Sequence, residues 1–89
     1  MELGPVGLII TEKLSAALMP QSLEVIDESH LHAGHSGARA DGESHFRVKI
    51  EAAAFEGKSL VQRHRMVNEV LAEELKERVH ALAISAKVP

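Results

Sequence analysis

The stretch from residue 58 to residue 86 constrains the fold of this 89-residue chain more than any other part. Its first half has the apolar spacing of an amphipathic helix, and its second half alternates in the manner of a β-strand. The predicted strand covers residues 79–86 and opens on His80. Because a helix and a strand of this kind must bury their apolar faces against other elements, we expect the upstream chain to supply the rest of a sheet.

The predicted helix in this stretch has a clear start signal. Ser59 can accept a hydrogen bond at its first turn, and Gln62 three residues later completes a capping-box pattern. A break near Ala72 would divide the segment into two shorter helices. The apolar stripe of the segment is predicted to consist of Leu60, Val67, Leu71 and Leu75, with His64 on the same side.

The upstream chain supplies one helix and two strands. A helix is predicted to follow Pro5 and to end at Met19, because a residue before proline is pushed out of the helical region. Strands are predicted at residues 22–28 and 44–51, paired as an antiparallel hairpin. In the second strand the core side chains are predicted to be Phe46, Val48 and Ile50, and the solvent-facing ones His45, Arg47, Lys49 and Glu51.

These elements follow in the order helix, strand, strand, helix, strand. We therefore expect a single small α+β domain over residues 1–89, with a three-stranded mixed sheet and helices on one face. Between the first two strands, residues 29–42 contain three glycines and the histidines His30, His32 and His35, without any periodicity. A connection of this length in a compact domain is usually functional or mobile.

The histidines are the candidate metal ligands of this chain, since neutral imidazole commonly binds metal ions. His30, His32 and His35 share the loop, and His80 opens the last strand. Each has an ordinary alternative: the loop could be simply solvated, and His80 could be a structural residue at a strand edge. There are no cysteines, which excludes disulfides, a thiolate zinc site and a cysteine nucleophile.

The charged residues give little support for nucleic-acid binding. Lys58, Arg63 and Arg65 could form a phosphate-binding patch on the helix, or they could belong to a solvated face. The formal net charge of −3 argues against a strong non-specific DNA binder, because neutralising phosphates needs a surplus of basic residues. No nucleophile elbow, P-loop or paired-carboxylate pattern occurs, so we do not expect an enzyme.

The first residues contain an acid and no basic segment, so a signal peptide is not expected. No apolar run approaches the roughly 18 residues that a membrane span requires. On this basis the protein is expected to be cytoplasmic.

Several segments together resemble the BolA family. They are L-E-V-I-D-E-S-H, E-S-H-F-R-V-K-I, F-E-G-K-S-L-V-Q-R-H-R-M-V-N, L-A-E-E-L and V-H-A-L-A-I-S-A, and they occur in the family's order over nearly the whole chain. The resemblance implies a class II KH-like fold that lacks the GxxG loop with which KH domains clamp nucleotides.

The resemblance also implies a role as the partner of a monothiol CGFS glutaredoxin in iron–sulfur cluster assembly and iron homeostasis. In the family a [2Fe–2S] cluster bridges the two proteins, with thiolates from the glutaredoxin and glutathione on one side. His80 in V-H-A matches the family's histidine ligand, and a second ligand comes from the loop. That second ligand is His35 or His32, with His30 also open, and such mixed ligation resembles a Rieske-type centre. The isolated domain is expected to bind no cofactor.

A second role implied by the resemblance is that of a transcriptional regulator of morphology and stress genes. In that case Lys58, Arg63 and Arg65 would contact DNA phosphates from a helix-turn-helix-like element. The two roles remain alternatives at the level of the sequence.

Overall fold

The structure, a computed structural model, describes residues 3–29 and 44–89. Its helices and strands are α1 (Pro5–Leu18), β1 (Ser22–Asp27), β2 (His45–Glu51), α2 (Leu60–Val70), α3 (Ala72–Glu77) and β3 (Ala81–Lys87), with a 3-10 turn at Ala53–Phe55. The strands form one sheet in the order β1-β2-β3. β1 pairs with β2 antiparallel, and β2 pairs with β3 parallel. The predicted mixed three-stranded α+β fold is confirmed.

The central strand β2 carries the core of the sheet. Phe46, Val48 and Ile50 are all buried, as the alternation predicts, and Lys49 between them is exposed. Fully burying an aliphatic or aromatic side chain of this size stabilises a fold by about 1.5–3 kcal/mol. The rest of the buried core comes from the helices, the 3-10 turn, the last strand and residues that flank these elements, with Val6, Ile10, Leu14, Ala52, Phe55, Val67, Leu71, Val79 and Ala86.

The first helix has the predicted bounds. Pro5 stands in its first turn, where the missing N–H would have no helical partner. The chain leaves the helix at Met19, which adopts a left-handed conformation with φ 44° immediately before Pro20. Farther along the helix, the Lys13 ammonium lies 2.7 Å from Glu74 Oε2 and so connects α1 to α3. The other oxygen of this carboxylate, Oε1, is buried and has no hydrogen-bond partner within residues 3–29 and 44–89.

The capping box of α2 is present. The Ser59 hydroxyl accepts a hydrogen bond from the Gln62 N–H at 3.2 Å, and the Gln62 side chain accepts one from the Ser59 N–H at 2.8 Å. The predicted break is also confirmed, since Leu71 alone separates α2 from α3.

The prediction of a buried stripe on α2 is wrong for one of its members, Leu60. Val67 and Leu71 are buried and Leu75 packs against the core, but Leu60 is 64% exposed. Leu60 belongs to the first turn of the helix, and the first buried side chain of α2 lies further along, at Val67. Helical spacing places a residue on a face, but it does not say how far the partner surface extends along that face.

The first and last strands differ from the prediction only at their ends. β1 ends at Asp27, one residue early, and β3 runs over Ala81–Lys87, so that His80 precedes the strand. None of the helices in the described part of the chain is long and apolar enough to cross a membrane.

Candidate functional site

Three parts of the chain meet at one corner of the sheet. The Ser44 carbonyl accepts hydrogen bonds from the N–H groups of His80, at 2.6 Å, and Ala81, at 3.1 Å. On the other side, the Ser29 hydroxyl accepts from the N–H groups of Ser44, at 2.9 Å, and His45, at 3.1 Å. Ser29 and Ser44, the residues on either side of the histidine-containing segment 30–43, therefore lie beside the start of β3. We call this arrangement of Ser29, Ser44, His45 and His80 the histidine corner.

His80 presents an exposed side chain from a backbone that is held in place. Its neighbour Val79 is buried, and the Val79 N–H donates to the Glu74 carbonyl at 2.7 Å, at the end of α3. The His80 N–H itself is bonded to Ser44. An imidazole that is exposed on a fixed backbone is well suited to contact a partner or a metal centre at the surface.

His45 lies behind His80 and is the functional candidate that the sequence reasoning missed. It was predicted to face solvent, but it is only 8% exposed. Its Nδ1 shares a hydrogen bond of 2.9 Å with the Ser44 hydroxyl, and its ring centroid lies 5.5 Å from that of His80, with the planes tilted by 49°. The alternation failed here because His80, which lies 35 positions away in the chain, packs against the His45 ring.

The other predicted ligands are not placed. His30, His32 and His35 lie outside the described residues. Over residues 3–29 and 44–89, no group of three or more histidine, cysteine, aspartate or glutamate side chains is arranged to hold a metal ion. The histidine corner thus brings together His80 and His45, and it contains Ser29 and Ser44, which stand on either side of the segment in which the remaining candidates occur.

The basic residues do not form a single free patch. Arg63 is half-buried, and its guanidinium donates to two backbone carbonyls: Lys58 O at 3.0 Å and Ala86 O at 3.2 Å. Lys58 and Arg65 are exposed and line a shallow depression that also includes the carboxylate residue Glu69. Arg63 therefore ties the start of α2 to the end of β3, and the surface around the other two cations carries mixed charge.

The comparisons with known proteins identify the family. The family model described as BolA-like protein matches residues 14–89. This chain belongs to the BolA family. The BolA-like chain is 51% identical over 86 residues to BolA-like protein 1 of Mus musculus, covering 97% of this chain and 60% of that protein. It is also 50% identical over 91 residues to SufE-like protein 1, chloroplastic/mitochondrial, of Arabidopsis thaliana, covering 98% of this chain and 24% of that protein.

The solved structures agree with this assignment. The BolA domain of SufE1 from Arabidopsis thaliana superposes with a TM-score of 0.90 at 51% identity, covering 99% of this chain and 96% of that one. The solution structure of BolA1 from Mus musculus gives a TM-score of 0.81 at 47% identity, covering 98% of this chain and 68% of that one. The BolA-like chain spans about a quarter of the length of the Arabidopsis SufE-like protein and about three fifths of the mouse protein.

The KH-like subclass of the fold stays a prediction, and so does the cytoplasmic location. The names of two Arabidopsis relatives, SufE-like protein 1 and Protein BOLA1, refer to the chloroplast, and the first also refers to the mitochondrion.

Proposed function

We propose that this BolA-like domain is a non-enzymatic partner of a monothiol CGFS glutaredoxin in iron–sulfur cluster assembly and iron homeostasis. In this role it contributes histidine ligands to a shared [2Fe–2S] cluster. The observation that carries the proposal is the exposed His80 on a fixed corner that also contains Ser29 and Ser44, the residues on either side of the histidine-containing segment.

The donor set of this chain fits such a cluster. Imidazole is a suitable ligand for iron, and a chain without cysteine can offer imidazole but no thiolate. His80 would hold the cluster together with His35 or His32, and the glutaredoxin and glutathione would supply the thiolates. When bound, the cluster provides one-electron redox chemistry and visible absorption.

The corner itself supplies pre-organisation. The hydrogen bonds from Val79, His80 and Ala81 fix the backbone that carries the imidazole before any partner arrives. A group that is already fixed loses little conformational freedom on binding, so more of the contact energy appears as affinity. Residues that are exposed on fixed elements are also the ones that a partner can reach without rearranging the fold.

The test is an anaerobic reconstitution with a CGFS glutaredoxin, glutathione, iron and sulfide, followed by visible absorption and circular dichroism. We expect a spectrum that differs from that of the glutaredoxin homodimer and that His80→Ala abolishes. His64→Ala is the matched control, because it removes a half-buried imidazole on α2, away from the histidine corner. His32→Ala and His35→Ala, measured separately, identify the second ligand. An unchanged cluster spectrum in the His80→Ala complex would overturn the proposal.

A nucleic-acid role receives less support from the contacts. Two Arg63 donors are already bonded to backbone carbonyls, and one residue separates α2 from α3, whereas the turn of a helix-turn-helix motif has three to four residues. DNA contact by Lys58, Arg63 and Arg65 stays a prediction. A gel shift that persists as the salt concentration rises would favour it, since non-specific phosphate contacts weaken steeply with salt.

A further inference from the structure

We propose that His45 is a positioning residue: its buried ring, held by Ser44, sets the orientation of the exposed His80 imidazole. The inference deepens the cluster role, and its functional consequence rests on that proposed function. The orientation itself is a property of the isolated domain and can be measured without a cluster or a partner.

The His45 ring is held in place by hydrogen bonds and by burial. Its backbone N–H donates to the buried Ser29 hydroxyl, and its Nδ1 is hydrogen-bonded to the Ser44 hydroxyl. The His45 carbonyl accepts a hydrogen bond from the Glu28 N–H at 2.8 Å. With 8% of the residue exposed, changing the rotamer would break a buried hydrogen bond and the packing around the ring together.

The fixed His45 ring contacts the exposed His80 ring. The centroid separation of 5.5 Å lies within the range of about 4.5–7 Å over which aromatic rings attract each other. The His80 backbone is held by the Ser44 carbonyl, so this ring contact acts on a side chain whose backbone is already in place. It is the contact through which His45 sets the His80 orientation.

The ring contact changes how often His80 adopts the orientation that binds the cluster. An exposed side chain samples about three staggered χ1 wells, so a contact that selects one of them raises the population of the binding orientation roughly threefold. A ligand side chain that already occupies its binding orientation binds correspondingly more tightly, because the apparent affinity is proportional to the fraction of molecules in that orientation. Loss of the His45 ring is thus expected to weaken cluster sharing by roughly threefold or more.

Two double variants distinguish the contribution of the His45 ring from that of its nitrogen atoms. Ser44→Ala/His45→Phe removes the hydroxyl and both ring nitrogens but keeps an aromatic ring beside His80. Ser44→Ala/His45→Ala removes the ring as well. Should the second variant fail to fold, Ser44→Ala/His45→Val takes its place, because valine is favourable in a strand and has no ring. His64→Ala again serves as the control for losing an imidazole elsewhere.

The first readout is NMR of histidine-labelled domain without metal. The χ1 couplings and the side-chain order of His80 are expected to report one dominant rotamer in the wild type and in the phenylalanine variant, and averaging in the variant without a ring. If His80 is equally ordered in the variant without a ring, or averaged in the wild type, the positioning role is overturned. This result holds whether or not the glutaredoxin complex forms.

The second readout is the visible circular dichroism of the complex reconstituted with glutaredoxin and glutathione. We expect the phenylalanine variant to retain the wild-type spectrum and the variant without a ring to need roughly threefold more domain to reach it. If the phenylalanine variant keeps His80 ordered but loses the spectrum, His45 is itself a ligand and the positioning role is wrong. If the wild type gives no shared spectrum, the proposed function fails, while the NMR comparison still decides the orientation.

Discussion

Removal of the Ser29 hydroxyl should destabilise the domain more than its size suggests. In Ser29→Ala one oxygen disappears, but two buried donors, the N–H groups of Ser44 and His45, lose their acceptor. Leaving a buried donor unsatisfied costs about 1–3 kcal/mol, so for two donors we expect the free energy of unfolding to fall by about 2–6 kcal/mol in total. That is a large part of the 5–15 kcal/mol that is typical of native proteins.

The assay is urea unfolding followed by far-UV circular dichroism. We expect a lower midpoint with an unchanged slope, because the surface exposed on unfolding hardly changes. Ser15→Ala, at an exposed position of α1, is the matched control and should leave the midpoint nearly unchanged or slightly raised, since alanine favours the helix. A Ser29→Ala loss below about 0.5 kcal/mol, the range of ordinary surface substitutions, would refute the assignment of both hydrogen bonds.

The remaining predictions concern the core, an ion pair and an arginine. Leu71→Ala should lower the free energy of unfolding by about 2–5 kcal/mol because Leu71 is fully buried, whereas Leu60→Ala should change it by less than about 0.5 kcal/mol. Equal losses of unfolding free energy for the two variants, measured by urea unfolding, would contradict the finding that Leu71 is buried and Leu60 is exposed. The hydrogen bond from Lys13 to Glu74 raises the pKa of Lys13. The pair therefore stabilises the fold at every pH below the ordinary lysine pKa, about 10.4. This stabilisation is lost as the pH rises through the raised pKa of the folded state. The difference in urea midpoint between the wild type and Lys13→Met should therefore be constant from about pH 7 to 9 and shrink above about pH 10.4; a difference that grows there would reverse the sign of the linkage. Arg63→Ala should destabilise the domain by about 0.5–1.5 kcal/mol because two carbonyls lose a donor, and an unchanged thermal midpoint would show that those contacts contribute nothing.

Local signals accounted for much of the fold. The alternation of Phe46, Val48 and Ile50, the capping box at Ser59 and the proline after Met19 each act within a few residues, so they can be recognised in the sequence. The succession of these patterns along the chain gave the order of the elements, and the resemblance to the BolA family then supplied the candidate role of His80. What could be predicted was thus the identity and the order of the elements.

The rest depended on contacts between distant parts of the chain. The side chains of Lys13 and Glu74 are 61 positions apart in sequence, and nothing near either residue indicates the other. His45 was placed on the solvent side because alternation describes one strand against water, whereas in the folded chain its ring lies against the His80 ring and is bonded to the Ser44 hydroxyl. A residue's burial at a corner is decided by the partner that packs there, which is why the histidine corner could not be read from local patterns.

The bonds between Ser29 and Ser44 also determine how freely this chain can vary. They join the two serines that stand on either side of residues 30–43, and the Ser44 carbonyl in turn accepts the hydrogen bonds from His80 and Ala81. These contacts at the start of β3 are therefore made by residues outside the segment 30–43. Each doubling of the length of a connection costs only about 0.6 kcal/mol. We therefore expect the sheet to stay intact when residues are inserted, deleted or exchanged between the two serines, so that this part of the chain can vary without a change of fold.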